Sequence, residues 1–241
     1  MARPTDRRSL VRQGGIGVLA AIVLAAIVGG GWLLIRGKTE VDTALDQVRR
    51  VPLIGPVMAE NAEVETRMRA AIEQELRNPT QSGLSRPFAL VGEIRRQYVV
   101  PALRGADDES AIAAVAARAQ LVLYLRQADP AACRQFALGA LQRPDLLDAE
   151  AQRLLGEVLQ TLEAAWRSGK AAAVQRPVLD REQLTATLQQ AGFAKADFDR
   201  LGSFQTLSNE VSCDVEFKVD SVPPLLPADK RGAFARYVLS N

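Results

Sequence analysis

Histidine is missing from all 241 residues, and this absence removes more chemistry than any other feature of the chain. Ser-His-Asp and Cys-His catalysis are excluded as such. So are zinc sites of the zincin and carbonic-anhydrase kinds, and pH sensing by imidazole. Motifs of other chemistries are missing as well: the chain has no G-x-S-x-G, S-x-x-K, C-x-x-C or G-x-x-x-x-G-K-[ST]. Gly169-Lys170 is followed by Ala171 and lacks the upstream glycine, so it is not a phosphate loop. Carboxylate and lysine chemistry survive these exclusions. No cofactor or metal is expected.

Cysteine is scarce. Cys133 and Cys213 are the only two, 80 residues apart. In an oxidising compartment an even count favours one disulfide. Closing a loop of that length stabilises a fold by about 4–5 kcal/mol in the chain-entropy model. The alternative is two buried thiols acting as small hydrophobes. A catalytic thiol would have no histidine to activate it.

Charge of one sign is lacking too, with 30 Lys and Arg against 28 Asp and Glu for a net +2. The first 13 residues hold Arg3, Arg7, Arg8 and Arg12 against Asp6, so the rest of the chain is slightly acidic. That excludes the global basic field of a nucleic-acid binder, and no nucleic-acid partner is expected.

The chain does contain a long uncharged run, GGIGVLAAIVLAAIVGGGWLLI, residues 14–35. As a helix, 22 residues span roughly 33 Å, enough to cross a hydrocarbon core of about 30 Å. A cleaved signal has a shorter apolar region ending in small residues; this one ends in Trp32-Leu33-Leu34-Ile35-Arg36. It therefore reads as a retained transmembrane helix, with Trp32, Arg36 and Lys38 at an interface. The arginines of the head place the N-terminus inside. The abundance of Ala and Arg suggests a high-GC bacterium, so the expected location is a bacterial inner membrane with the domain in the periplasm. Gly17, Ala21, Ala25 and Gly29 form a small-residue stripe of the kind that packs membrane helices in homodimers. Ten of the 22 residues are Gly or Ala, so chance supplies such a stripe readily.

The expected organisation is a basic cytoplasmic tail (1–13), a transmembrane helix (14–35), a membrane-proximal stem (36–57) and an α-helical extracytoplasmic domain (58–241). The fold class is mainly α, a helical-hairpin or bundle domain behind one membrane helix, with one ambiguous strand-like segment at 210–220. Val41, Leu45 and Val48 share a helical face, and the prolines of VPLIGPV (51–57) interrupt it. Val64, Met68, Ile72 and Leu76 form a second stripe. Residues 78–87 read as loop. Phe88, Val91, Ile94 and Tyr98 form a third stripe, which Pro101 ends or kinks. Asp107 to Gln127 reads as a long buried helix, opened by the acids Asp107, Asp108 and Glu109. Asp129-Pro130 is an N-cap with proline at the first helical position. Pro144-Asp145 opens the strongest amphipathic helix, running to Trp166. Asp180-x-x-Gln183 is an acidic capping box, and Gly192 closes that helix. Phe193 to Leu201 is its hairpin partner, and a last helix covers about 228–239.

EVSCDVEFKVD, residues 210–220, alternates apolar and polar throughout, the pattern of a strand. No second segment of equal quality is available to pair with it, and its helical surroundings favour a helix. The three functions compatible with these features differ in class. One is a membrane-anchored module that binds or assembles with another envelope protein. Another is a carboxylate enzyme of the cell-wall glycan hydrolase kind, which needs two acids across a cleft; Asp107 to Glu109 is its densest acidic run. The third is a small-ligand receptor with a pocket between helices, for which Arg95, Arg96 and Tyr98 are candidates if they converge.

Overall fold

The computed structural model describes residues 40–81, 85–139, 141, 144–172 and 176–241. The expected membrane span, with Gly17, Ala21, Ala25 and Gly29, lies outside these residues, as does the basic head. The described chain is mainly helical and contains no strand. None of its helices is long and apolar enough to cross a membrane.

The first helix, α1 (Glu40–Arg49), buries Leu45 and Val48 on the expected face. A turn then leads into a short helix, α2 (Ile54–Glu60). Leu53 is the only described non-glycine residue at positive φ, with φ 69° and ψ −49°. The Ile54 N–H donates to Pro52 O at 2.9 Å, closing a three-residue γ-turn that an L-residue adopts only under strain. Tertiary contacts hold it there: the Leu53 side chain is wholly buried, and its N–H donates to Glu163 Oε2 at 2.9 Å. Gly55 is needed beside it, since a Cβ would lie 2.0 Å from Arg49 O. Pro56 falls in the first turn of α2, where no N–H is wanted. From residue 40 onward the expected stem is therefore part of the domain's packing. Leu45, Val48, Val51, Leu53, Ile54 and Val57 all join the main core. The prolines break a helix without dividing the core.

Helix α3 (Ala62–Arg77) comes after Asn61, whose extended backbone separates it from α2. It buries Val64, Met68 and Ile72. Helix α4 (Arg86–Ile94) carries Pro87 in its first turn. A π-helical turn, Arg95–Val99, joins it to α5 (Val100–Leu103). Pro101 explains the turn. It has no N–H to give, so the ladder widens, with the Val100 N–H donating to Arg95 O, and then resumes. Pro101 thus leaves the helix to continue to Leu103.

Helix α6 (Asp108–Ala128) is capped by Asp107, whose Oδ1 accepts from the Ser110 N–H at 2.7 Å. Helix α7 (Pro130–Leu138) is capped by Asp129, which accepts from the Ala132 N–H at 2.9 Å. The strongest amphipathic helix, α8 (Ala149–Ala171), starts later than expected. Pro144–Leu146 forms a 3-10 turn, and Asp148 is the cap. Helices α6 and α8 run antiparallel: Ser110 meets Ser168 at 3.0 Å, and Tyr124 reaches Asp148 at 2.7 Å.

Gly169 lets α8 approach α5 closely, because a Cβ there would lie 1.8 Å from Ala102 O and 3.0 Å from the Ala106 nitrogen. Both obstacles are backbone and cannot swing aside. Gly169→Ala is expected to destabilise the fold by about 1–3 kcal/mol, the range for overpacking. Urea unfolding checks this, and an unchanged midpoint would refute the close approach.

The remaining helices are α9 (Arg181–Gln190), α10 (Lys195–Gly202), α11 (Asn209–Asp220) and α12 (Ala228–Ser240). They enclose a second, smaller core of Leu188, Phe193, Val222, Leu226 and Phe234. The capping box of α9 is complete: the Gln183 N–H donates to Asp180 Oδ1 at 2.8 Å, and the Asp180 N–H to Gln183 Oε1 at 3.0 Å. Gly192, at φ 87°, ends the helix in the left-handed region, and the Phe193 N–H returns to Leu188 O at 2.9 Å.

Candidate functional site

The ambiguous segment 210–220 is helix α11, capped by Ser208. It lies between the two cores. Cys213 belongs to the main core and Phe217 packs against it, while Val219 packs against the second core, which contains Val222. A helix buried on two sides carries apolar residues on both, and here their spacing imitates the period of a strand.

The face turned to the main core reads Cys213, then Glu216 and Phe217 one turn on, then Asp220 a further turn on, the i, i+3 and i+4 spacing of one helix face. Cys213 and Cys133 of α7 sit at disulfide distance, with Cα atoms 5.7 Å apart, and no described cysteine is free. One turn on, Glu216 pairs with Arg118 of α6 through Oε1 and Nη2. Asp220 completes the triad, 3.4 Å from Arg118 Nε. The guanidinium also lies over the Phe136 ring, 5.2 Å from its centroid. The disulfide pair and the ion triad thus fasten the same face of α11 to α6 and α7.

Arg118 is only 9 % exposed. Burial works against its charge but is outweighed by the carboxylates of Asp220 and Glu216, which hold it protonated. The acids carry the cost. Burial first, and then the neighbouring Asp220 charge, push Glu216 up to about 8, with Arg118 pulling the other way. Burial raises Asp220 as well, against the same guanidinium. Asp220 Oδ2 accepts no hydrogen bond, consistent with a site that cannot comfortably hold two negative charges.

Stability should depend on pH as a result. Glu216 binds its proton more tightly in the native state than in the unfolded chain, whose value is near 4.5. Its stabilising contribution is therefore complete below that value and is lost as pH rises through about 8. Glu216→Gln is expected to gain on the wild type as pH rises across this window. Denaturant midpoints measured from pH 5 to pH 9 check it, and parallel curves would refute it.

Two more arginines are buried. Arg95, 7 % exposed, donates from Nη2 to Leu239 O at 3.2 Å, near the C-terminal end of α12 where a cation is favoured. Burial, and then the charges of Arg118 and Arg96, lower it to about 10. Arg236 donates to Pro177 O at 3.1 Å and to Ala106 O at 3.0 Å, and it pairs with Asp108. The receptor candidates do not converge. Arg95 turns inward and Arg96 is exposed. Tyr98 is half-buried, and its carbonyl accepts from Trp166 Nε1 at 3.1 Å.

The acidic run is accounted for by helix capping and by Arg236. The cap bonds to Ser110 lower Asp107, and Asp108 and Glu109 stand in the first turn of α6. The acids that do face one another, Glu216 and Asp220, went unread in the sequence. Their i, i+4 spacing was the available signal, and the alternating apolar residues around them masked it. They are buried on a guanidinium, an arrangement that holds a helix in place. Among the described residues no group of three or more Cys, Asp or Glu side chains is placed to hold a metal ion. Compared with known proteins, the chain matches no family model, no curated protein and no solved structure.

Proposed function

We propose that this chain is a single-pass inner-membrane protein whose helical domain stands in the periplasm and serves as an interaction or assembly module of the cell envelope. The observation that carries the reading is the uncharged 22-residue run at 14–35, bordered by arginines on its N-terminal side. The cysteine pair at disulfide distance supports an oxidising compartment. The acids placed together are engaged by Arg118 and by helix caps, so the observations favour binding over carboxylate catalysis. A tethered bundle of helices offers faces and grooves to a partner segment.

Alkaline phosphatase fused to the C-terminus of the full chain reports the side of the membrane. The expected fusion is active, and an inactive one overturns the periplasmic assignment. Crosslinking in intact cells then asks for the partner. Recovery of one defined envelope protein at constant stoichiometry is the expected result, and recovery of none overturns the assembly role.

A further inference from the structure

The ends of the bundle are not equivalent, because the tether attaches at one of them. Helix α1 begins at Glu40, four residues after the last arginine of the apolar run's C-terminal border at Arg36. Residues 36–39 can reach at most about 14 Å when fully extended. Whatever lies beside the start of α1 is therefore held near the bilayer.

Ion pairs and hydrogen bonds fix which elements end there. Asp42 pairs with Arg69 at 2.7 Å, and Arg49 pairs with Glu65, so α1 and α3 are antiparallel. The start of α1 then lies toward the C-terminal end of α3, which runs on to Arg77. Arg67 pairs with Glu93, and the Arg86 N–H donates to Glu75 Oε2 at 3.0 Å, so α4 starts at this same end. Tyr98 meets Trp166, and Ala102 meets Gly169, so the chain from α4 to α5 runs parallel to α8. The start of α8 thus points to the same end, together with the 3-10 turn that precedes it.

Three large apolar side chains are exposed among the described residues: Leu76 at 40 %, Leu146 at 70 % and Leu225 at 63 %. The first two belong to the tethered end. Leu225 does not. It precedes α12, whose Gly232 packs on Asp108 at the start of α6, the opposite end of the antiparallel α6–α8 pair. Arg77 stands beside Leu76 and is highly exposed.

We infer that the end of the bundle carrying the C-terminus of α3 and the turn before α8 rests on the phospholipid surface, with Leu76 and Leu146 seated among the headgroups. Arg77 lies beside Leu76 at the level of the phosphates, where arginine is favoured. The opposite end, with Leu225, then faces away from the bilayer and is the end open to a partner. This inference rests on the membrane-anchored reading above.

The test uses the full chain, oxidised, in vesicles of phosphatidylethanolamine and phosphatidylglycerol containing headgroup-proximal doxyl lipid. Leu76→Cys, Leu146→Cys and Leu225→Cys each carry a polarity-sensitive fluorophore, and flotation is measured on the same samples. The expected result is loss of emission at positions 76 and 146, and none beyond background at 225. A chain that floats with the vesicles but quenches at 76 and 146 no more than at 225 overturns the inference and leaves the anchor standing. A chain that does not float overturns the anchored reading itself.

Discussion

Arg118→Met is expected to cost about 3–5 kcal/mol of stability, the range for breaking a buried ion pair by removing one partner. The substitution roughly preserves the volume against Phe136 but leaves Glu216 and Asp220 facing each other without a counter-charge. Glu216 already lies well above the ordinary carboxylate range with Arg118 present, so without it both acids must take up protons before α11 can stay seated. The deficit should therefore shrink at pH 5 and widen at pH 8. Replacing the whole triad, Arg118→Met with Glu216→Leu and Asp220→Leu, is expected to recover most of the loss, since an apolar set needs no desolvation. Urea unfolding of the three proteins at the two pH values decides it. A loss under about 1 kcal/mol for Arg118→Met would mean the triad behaves like a solvated surface pair.

The triad also shows where sequence reading stops. Features set by neighbours in the chain were legible. The caps Asp107, Asp129 and Asp180 read directly, because each bonds an N–H only three residues on. The stripes of α1 and α8 read as well, as do Val64, Met68 and Ile72 of α3, because each helix buries a single face; Leu76, the fourth member of the α3 stripe, is exposed instead. Features set by distant residues did not read. Arg95 resembles any exposed arginine on a helix until Leu239 O is brought to it from 144 positions away. The γ-turn at Leu53 depends on Glu163, 110 residues on, and on the absence of a Cβ at Gly55. VPLIGPV consequently looked like a boundary when it is a buried corner. The start of α8 differs from the expected one for a smaller reason: Pro144-Asp145 and Leu147-Asp148 both offer cap chemistry, and the 3-10 turn occupies the first. Helix α11 combines both cases. Its Ser208 cap is local, whereas its double-sided burial is tertiary.

Breaking the Cys133–Cys213 link, by reductant or by paired alanine substitution, is expected to lower stability by about 4–5 kcal/mol if chain entropy alone acts across the 80-residue loop. The loss should also be unevenly distributed. The link fastens α11, which carries the second core on its other side, so the segment from α9 to α11 loses its covalent tie while α6 and α8, which have none to lose, stay joined by direct packing. Amide hydrogen exchange after reduction should therefore quicken first in residues 181–220 and later in 108–128 and 149–171. Arg118 grips the same face one and two turns further on, so the two restraints are coupled. With the cysteines gone, the triad carries more of the hold on α11, beside the packing of Phe217 and the Arg126–Asp214 pair, and Arg118→Met should cost more in that background than in the oxidised protein, a non-additive pair. If exchange quickens uniformly over both cores, or if the two perturbations simply add, then the disulfide acts only on the unfolded chain. The triad, the Phe217 packing and the Arg126–Asp214 pair would then seat α11.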